Sequence, residues 1–171
     1  MDVDGTLTDG KIYMGNDGEV MKAFDIKDGY AIRIQAPKHD IVPVIITARQ
    51  SQMVVHRCNE LGVTEIHQGV TNKLSCLKGI LQKYAAADQT AYSFANVAYI
   101  GDDLLDLQCI RPIKDFGGLT GCPSNAVTEV MQACDFIASH RGGDGAVREF
   151  MEYIIHQYFQ PNADVLSSIL E

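Results

Sequence analysis

Hydrophobic positions fall into short, nearly continuous runs that alternate with stretches of helical period. That alternation predicts a parallel sheet with helices on both faces. Ile41-Val42-Pro43-Val44-Ile45-Ile46 and Val97-Ala98-Tyr99-Ile100 are the strongest runs, as expected of strands buried on both sides. Glu65-Ile66-His67, Phe136-Ile137 and a segment near Gly117-Gly118-Leu119 predict shorter strands. Between the runs, Val54, Val55, Cys58 and Leu61 share one face of a helix that Ser51 caps and Gly62 stops. Leu74, Leu77, Ile80 and Leu81 line a helix over residues 72–84, and residues 85–90 read as a loop or frayed end. A further helix is expected over 124–134. A last one, capped by Asp144, carries Val147, Phe150, Met151, Ile154 and Tyr158 on one face. Near the start, Gly15-Asn16-Asp17-Gly18 lies between two alternating segments and predicts a hairpin over residues 11–24. Asp28-Gly29 then opens a short helix through Ile34. The expected fold is α/β, a doubly wound parallel sheet with a small projecting β-hairpin. It forms one domain over 1–159, followed by a tail, 160–171, with no assigned partner.

Composition narrows the partners. The 171 residues carry a net charge of −8, with 46% hydrophobic and 21% charged residues. No basic patch stands out, which argues against nucleic acid. Five cysteines are scattered at apolar positions without a Cys-x-x-Cys pair, a pattern of reduced, buried thiols. No apolar run approaches the length of a membrane span and no signal peptide is visible, so a cytoplasmic location and no membrane partner are expected.

The chemistry begins at Asp2-Val3-Asp4-Gly5-Thr6. Two carboxylates one residue apart repel unless a cation stands between them, and a divalent cation there leaves a nucleophile beside a Lewis acid. Such a pair terminates a strand, yet only Met1 precedes Asp2, so a segment ahead of Met1 is expected. Thr47 follows the run at 44–46, Lys73 opens a helix, and Asp102 and Asp103 follow the run at 97–100. In a parallel sheet these strand ends share one edge, where ligands bind. Carboxylates, a hydroxyl and an ammonium gathered there suit a phosphoryl group.

Asp2-Val3-Asp4-Gly5-Thr6, Ile46-Thr47-Ala48-Arg49, Lys73 and Gly101-Asp102-Asp103-Leu104-Leu105-Asp106 resemble the four motifs of the haloacid dehalogenase superfamily of phosphatases, in order and spacing. Thr8-Asp9-Gly10-Lys11-Ile12-Tyr13, the stretch from Phe24 to Tyr30, and Arg141-Gly142-Gly143-Asp144-Gly145-Ala146-Val147-Arg148-Glu149 are similar to one branch of it. That branch contains the phosphatases of 3-deoxy-D-manno-octulosonate 8-phosphate and of nine-carbon sialic-type 9-phosphates.

The resemblance implies a capless, Rossmann-like fold and homotetramers in which hairpins and C-terminal segments help close neighbouring sites. It implies Mg2+ held by Asp2, Asp4 (through its backbone carbonyl) and Asp102. Asp2 would be the nucleophile, Asp4 the acid and base, and Thr47 and Lys73 the holders of the phosphoryl oxygens. Asp103 or Asp106 would orient Lys73 or metal-bound water. Asp25, Lys27, Asp28, Gly29, Arg33, Arg49 and Arg57 would line the substrate region, where an arginine fork suits a sugar-acid carboxylate. The expected activity is a phosphatase of the eight-carbon ester in lipopolysaccharide synthesis, with the nine-carbon ester as alternative.

Plainer readings stand beside these. Thr47, Asp25 and Asp28 are also ordinary cap or turn residues, and Lys73 an ordinary helix lysine. Arg57 can pair with Glu60 on its own helix, and Gly142-Gly143 can be a helix-start turn. His39, His56, His67, His140 and His156 lack metal-ligand spacing and read as structural. Lys27 stands where many members of the branch carry Arg. A receiver domain would place its acidic pair before the acceptor Asp, whereas here the second acidic cluster follows Lys73. A catalytically silent oligomerisation module is opposed by the full set of catalytic side chains.

Overall fold

Val44–Ile46 (β3) pairs in parallel with Glu65–His67 (β4), and Ala98–Ile100 (β5), Leu119–Cys122 (β6) and Phe136–Ile137 (β7) pair in parallel in that order. The computed structural model describes residues 1–159. Met1 and Asp2 join the two sheet segments. The Met1 amine donates to Val44 O at 2.8 Å, Ile46 N donates to Met1 O at 3.0 Å, and Asp2 N donates to Ile100 O at 3.1 Å. The chain start therefore lies between β3 and β5, where the direction of winding reverses, the place where open α/β sheets bind ligands.

Successive residues on each strand face opposite ways and build two cores. Ile45 and Ile100 pack with Val54, Cys58, Val147, Phe150 and Ile154, from helices α3 (Gln52–Glu60) and α7 (Ala146–Tyr158). Ile46 and Tyr99 pack with Leu77, Ile80, Ile110, Ile113 and Val130, from α4 (Lys73–Asp88), α5 (Leu107–Asp115) and α6 (Thr128–Ala133). Helices cover both faces, as the alternation predicts. Among the described residues, no helix is long and apolar enough to cross a membrane.

The predicted hairpin is present as Tyr13–Gly15 (β1) and Gly18–Met21 (β2), closed by Asn16 and Asp17 with Gly18 at φ +119°. The helix after it starts earlier than expected. Asp25, in extended conformation, caps α1 (Ile26–Tyr30) by accepting from the backbone N–H of Lys27 and Asp28 at 2.7 and 3.2 Å. α1 continues through a π-helical turn, Ala31–Gln35, into α2 (Ala36–Lys38). Ala36 donates to Ala31 O, five residues back, and Pro37 has no N–H with which to resume the ordinary ladder.

Three other boundaries differ from the pattern. Helix α4 runs on to Asp88 because Ala85, Ala86 and Ala87 are strong helix formers, and Gln89 ends it in the left-handed region at φ 53°. The helix expected over 124–134 shortens to α6, because Ala126 N turns back onto Pro123 O at 3.1 Å and Val127 N reaches Asp102 O at 2.9 Å. Tyr158, expected on the buried face of α7, is exposed. The tail 160–171, and any lid it forms, lies outside the described residues.

Asp144 does not cap α7. Gly145, at φ +106°, occupies the cap position, and the carboxylate of Asp28 accepts from Gly145 N at 3.4 Å and Arg148 N at 2.8 Å. Asp28 is 0% exposed, and burial pushes its carboxyl from the usual 3.8 up to about 6, against the pull of those two N–H groups. The folded state thus keeps a proton that the unfolded chain loses near pH 4, so stability falls as pH rises from about 4 to about 6. Asp28→Asn lacks this fall. Denaturant titrations should show the variant gaining on the wild type by about 2–3 kcal/mol across that window. Parallel curves would instead show that the helix N-terminus holds Asp28 ionised throughout.

Candidate active site

The loop after Asp2 is wound tightly. Thr6, Leu7 and Thr8 all donate backbone N–H to Val3 O, at 3.2, 2.8 and 3.0 Å. Such curvature needs Gly5 at φ +93°, where a Cβ would also strike the Asp102 carboxylate. Thr6 Oγ1 donates to Asp102 Oδ1 at 2.9 Å, tying this loop to the end of β5.

Lys73 is the first residue of α4, behind the cap Asn72, whose side chain accepts from Ser75 N at 2.9 Å. It is 1% exposed, and its Nζ lies 2.9 Å from Asp2 Oδ1 and 2.7 Å from Asp106 Oδ1. Asp106 Oδ1 also accepts from Tyr99 Oη at 2.7 Å, and its Oδ2 accepts from Asp102 N and Asp103 N at 3.0 and 3.1 Å. Asp106 is therefore the group that orients Lys73. Asp103 caps the 3-10 turn Leu104–Asp106 through its bond from Leu104 N at 2.7 Å. Thr47 lies buried just past β3, its N–H donating to His67 O at 2.9 Å.

Asp2, Asp102 and Asp106 each bring a carboxylate oxygen within 4.8 Å of the others. Burial, then the charge of Asp106, raises the Asp2 carboxyl, with Lys73 opposing. Burial pushes Asp102 up to about 7, against the Thr6 hydrogen bond and with Asp2 and Asp106 adding to the rise. Burial alone would lower Lys73, but Asp2 and Asp106 outweigh it and hold the ammonium above its ordinary value. One ammonium among three carboxylates leaves an excess of negative charge that a hard divalent cation offsets. Four donors already occupy Asp106. Asp2, whose Oδ1 makes no hydrogen bond among the described residues beyond the ion pair, and Asp102 are the side chains suited to that cation.

Asp4 points its carboxylate elsewhere. It forms an ion pair with Lys22, whose Nζ also lies 3.0 Å from Glu19 Oε1, and Glu19 Oε2 accepts from Arg49 at 3.1 Å. Sequence reasoning missed Lys22 and Glu19, since nothing in local spacing folds the hairpin onto the loop of Asp4. It also missed Asn125, whose Nδ2 donates to Gly5 O at 3.0 Å while its Oδ1 accepts from Gly142 N at 2.6 Å. Gly143 N donates to Thr6 O at 3.1 Å, and a Cβ at Gly142 would collide with the Gly5 backbone. The glycine pair is thus more than a helix-start turn: it lets the 141–145 loop rest on the loop that carries Asp2.

The expected substrate residues divide. Arg49 borders the Asp4 loop through Glu19, and Lys27 reaches the 141–145 loop at Gly145. Arg57 pairs with Glu60 at 2.8 Å, Arg33 donates to Glu60 O at 3.1 Å, and a Cβ at Gly29 would strike the Arg57 guanidinium. This second group gathers around the C-terminal end of α3. Asp25 and Asp28 both serve as helix caps, because each carboxylate meets free backbone N–H groups. His67 and His140 pair with Glu65 and Glu149 at 3.0 and 2.6 Å, in keeping with structural roles.

No family model matches the chain. It is 42% identical over 155 residues to 3-deoxy-D-manno-octulosonate 8-phosphate phosphatase KdsC of Escherichia coli K12, covering 91% of this chain and 77% of that protein. The crystal structure of 3-deoxy-D-manno-octulosonate 8-phosphate phosphatase from Moraxella catarrhalis, in complex with magnesium, phosphate and KDO, superimposes with a TM-score of 0.85 at 36% identity, covering 100% of this chain and 91% of that one. The cobalt-bound deoxy-D-mannose-octulosonate 8-phosphate phosphatase from Haemophilus influenzae gives 0.83 at 28% identity, covering 99% and 94%. With a curated relative of this identity and coverage, the chain belongs to the 3-deoxy-D-manno-octulosonate 8-phosphate phosphatase family of the haloacid dehalogenase superfamily.

Proposed function

We propose that the protein is a Mg2+-dependent phosphatase that hydrolyses 3-deoxy-D-manno-octulosonate 8-phosphate to the free sugar acid and phosphate. The observation that carries this is Asp2 held by Lys73 beside Asp102 at the switch point of the sheet, in a chain so similar to KdsC. Asp2 attacks phosphorus and becomes an aspartyl-phosphate as the sugar oxygen leaves. Asp4 gives that oxygen a proton, then takes one from the water that attacks the aspartyl-phosphate. Lys73 and Thr47 hold the phosphoryl oxygens as charge shifts onto them. Asp2 and Asp102, with the Asp4 carbonyl, hold Mg2+, whose charge offsets the repulsion between the carboxylates and the phosphate. Arg49 and Lys27, which border the loops of Asp4 and of residues 141–145, are the cations suited to meet the substrate carboxylate, with Arg33 and Arg57 as further candidates.

One phosphatase domain spans 1–159 in this reading, and it works as a cytoplasmic homotetramer. The exposed Ile12, Met14, Val20 and Met21 of the hairpin support assembly, because single subunits rarely leave so many apolar side chains on one small projection.

Phosphate release with Mg2+, comparing the eight-carbon 8-phosphate with a sialic-type 9-phosphate, tests the proposal. A clear preference for the eight-carbon ester, falling below about one part in a hundred on chelation, is the expected result. Preference for the nine-carbon ester would overturn the substrate and keep the chemistry; no release from either would overturn both.

A further inference from the structure

Lys22 belongs to none of the motifs that mark the site, yet its side chain is 1% exposed, unusual for a lysine on a small hairpin. A buried ammonium persists only when paired, and this one has a carboxylate on each side, Asp4 and Glu19. Arg49 extends the row on the far side of Glu19. Four alternating charges therefore run from the loop after β3, across the hairpin, to the loop that carries Asp2. Among the described residues, Lys22 is the one side chain that bonds to the Asp4 carboxyl, and it does so at a single oxygen, Oδ1.

An ammonium can only donate. The oxygen it holds is confined to accepting, so when Asp4 carries its proton, that proton sits on Oδ2. We propose that Lys22 is a positioning residue for Asp4: by holding Oδ1 it fixes the carboxyl rotamer and reserves Oδ2 for proton transfer. In the first half-reaction the Oδ2 proton passes to the ester oxygen as the bond from that oxygen to phosphorus breaks and the bond from Asp2 forms. In the second half-reaction Oδ2 accepts a proton from the attacking water. Glu19 balances the charge of Lys22, so the ammonium orients Asp4 without competing for the phosphate. Holding one rotamer matters because proton transfer in the transition state tolerates little misplacement. The inference rests on the acid–base role given to Asp4 above.

The test compares two esters in Lys22→Met and Lys22→Arg. The eight-carbon 8-phosphate has an alkyl leaving group that needs a proton; p-nitrophenyl phosphate has one that departs as a stable anion. In Lys22→Met, kcat on the alkyl ester should fall at least about tenfold with KM within about threefold, while the first-turnover burst of p-nitrophenolate slows less than about threefold. Lys22→Arg, which keeps a donor on Oδ1, should recover most of the alkyl rate. Turnover on the alkyl ester is expressed per burst amplitude, which counts the working sites, so any loss of folded protein cancels and a poorly folding variant still gives an answer. Equal losses on both esters would overturn the proposal and leave Lys22 as a hairpin anchor; no loss on the alkyl ester would overturn it too. Asp4→Asn separates the two inferences. If it leaves the ratio unchanged, the acid–base role of Asp4 fails; if it lowers the ratio and Lys22→Met does not, only the role of Lys22 fails.

Discussion

Asp2→Asn abolishes turnover and leaves the fold standing: this is the expected result with the largest effect. An amide oxygen is a poor nucleophile and brings no negative charge to a cation, so both contributions of Asp2 vanish together. The rate should fall by at least about 10^4-fold, as for other nucleophile replacements. Stability should move the other way or not at all. Burial and the neighbouring Asp106 already resist ionisation of Asp2, and Lys73 retains Asp106 as a partner at 2.7 Å in the variant. Phosphate release, mass spectrometry for a phosphorylated chain and thermal melting without metal check the three parts. Substantial residual turnover would remove Asp2 from the role of nucleophile.

Asp106→Ala should damage both fold and catalysis. Asp106 accepts four hydrogen bonds, from Lys73, Tyr99, Asp102 N and Asp103 N, at 2.7 to 3.1 Å. Removing the carboxyl leaves a buried ammonium short of one partner, a buried phenol with none, and two N–H groups facing a void. Broken buried networks of this kind cost about 3–5 kcal/mol. The remaining folded enzyme should lose about 100-fold in kcat, because Lys73 is no longer held where phosphoryl oxygens arrive. Urea titration reads the first loss and turnover at fixed folded fraction reads the second. Asp106→Asn, which keeps one acceptor oxygen, should fall between the wild type and the alanine variant on both.

Much of the site was legible because a parallel sheet converts sequence position into spatial position. Asp2, Thr47 and Asp102 stand beside strand segments, and Lys73 opens a helix with Asn72 as its cap, so strand-end reasoning alone brought them to one edge. What escaped were contacts made across the chain. Lys22 meets Asp4 only because a hairpin folds back, and Asn125 meets Gly5 from 120 residues away. No periodicity records either meeting. Asp25 and Asp28 show another limit: capping a helix and gripping a polar substrate call on the same carboxylate chemistry, so residue type cannot separate them. Asp144 shows a third. A carboxylate at the right offset from α7 was expected to cap it, but Asp28, packed in from another helix, meets those N–H groups instead. Residues 85–88 failed for a simpler reason, since an alanine run without strong amphipathic character still propagates a helix already begun.

The backbone of Met1 and Asp2 is the seam between the β3–β4 half of the sheet and the β5–β7 half. In the proposed mechanism Thr47 beyond β3 would hold the phosphoryl group, Asp2 in the seam would attack it and Asp102 beyond β5 would hold the metal, so a loaded site would span that same join. A substrate bound in that way would act as a staple across the sheet. Affinity and cohesion would then be two readings of one linked equilibrium, in which a chain loosened at the seam should bind more weakly and an occupied site should draw the two halves together.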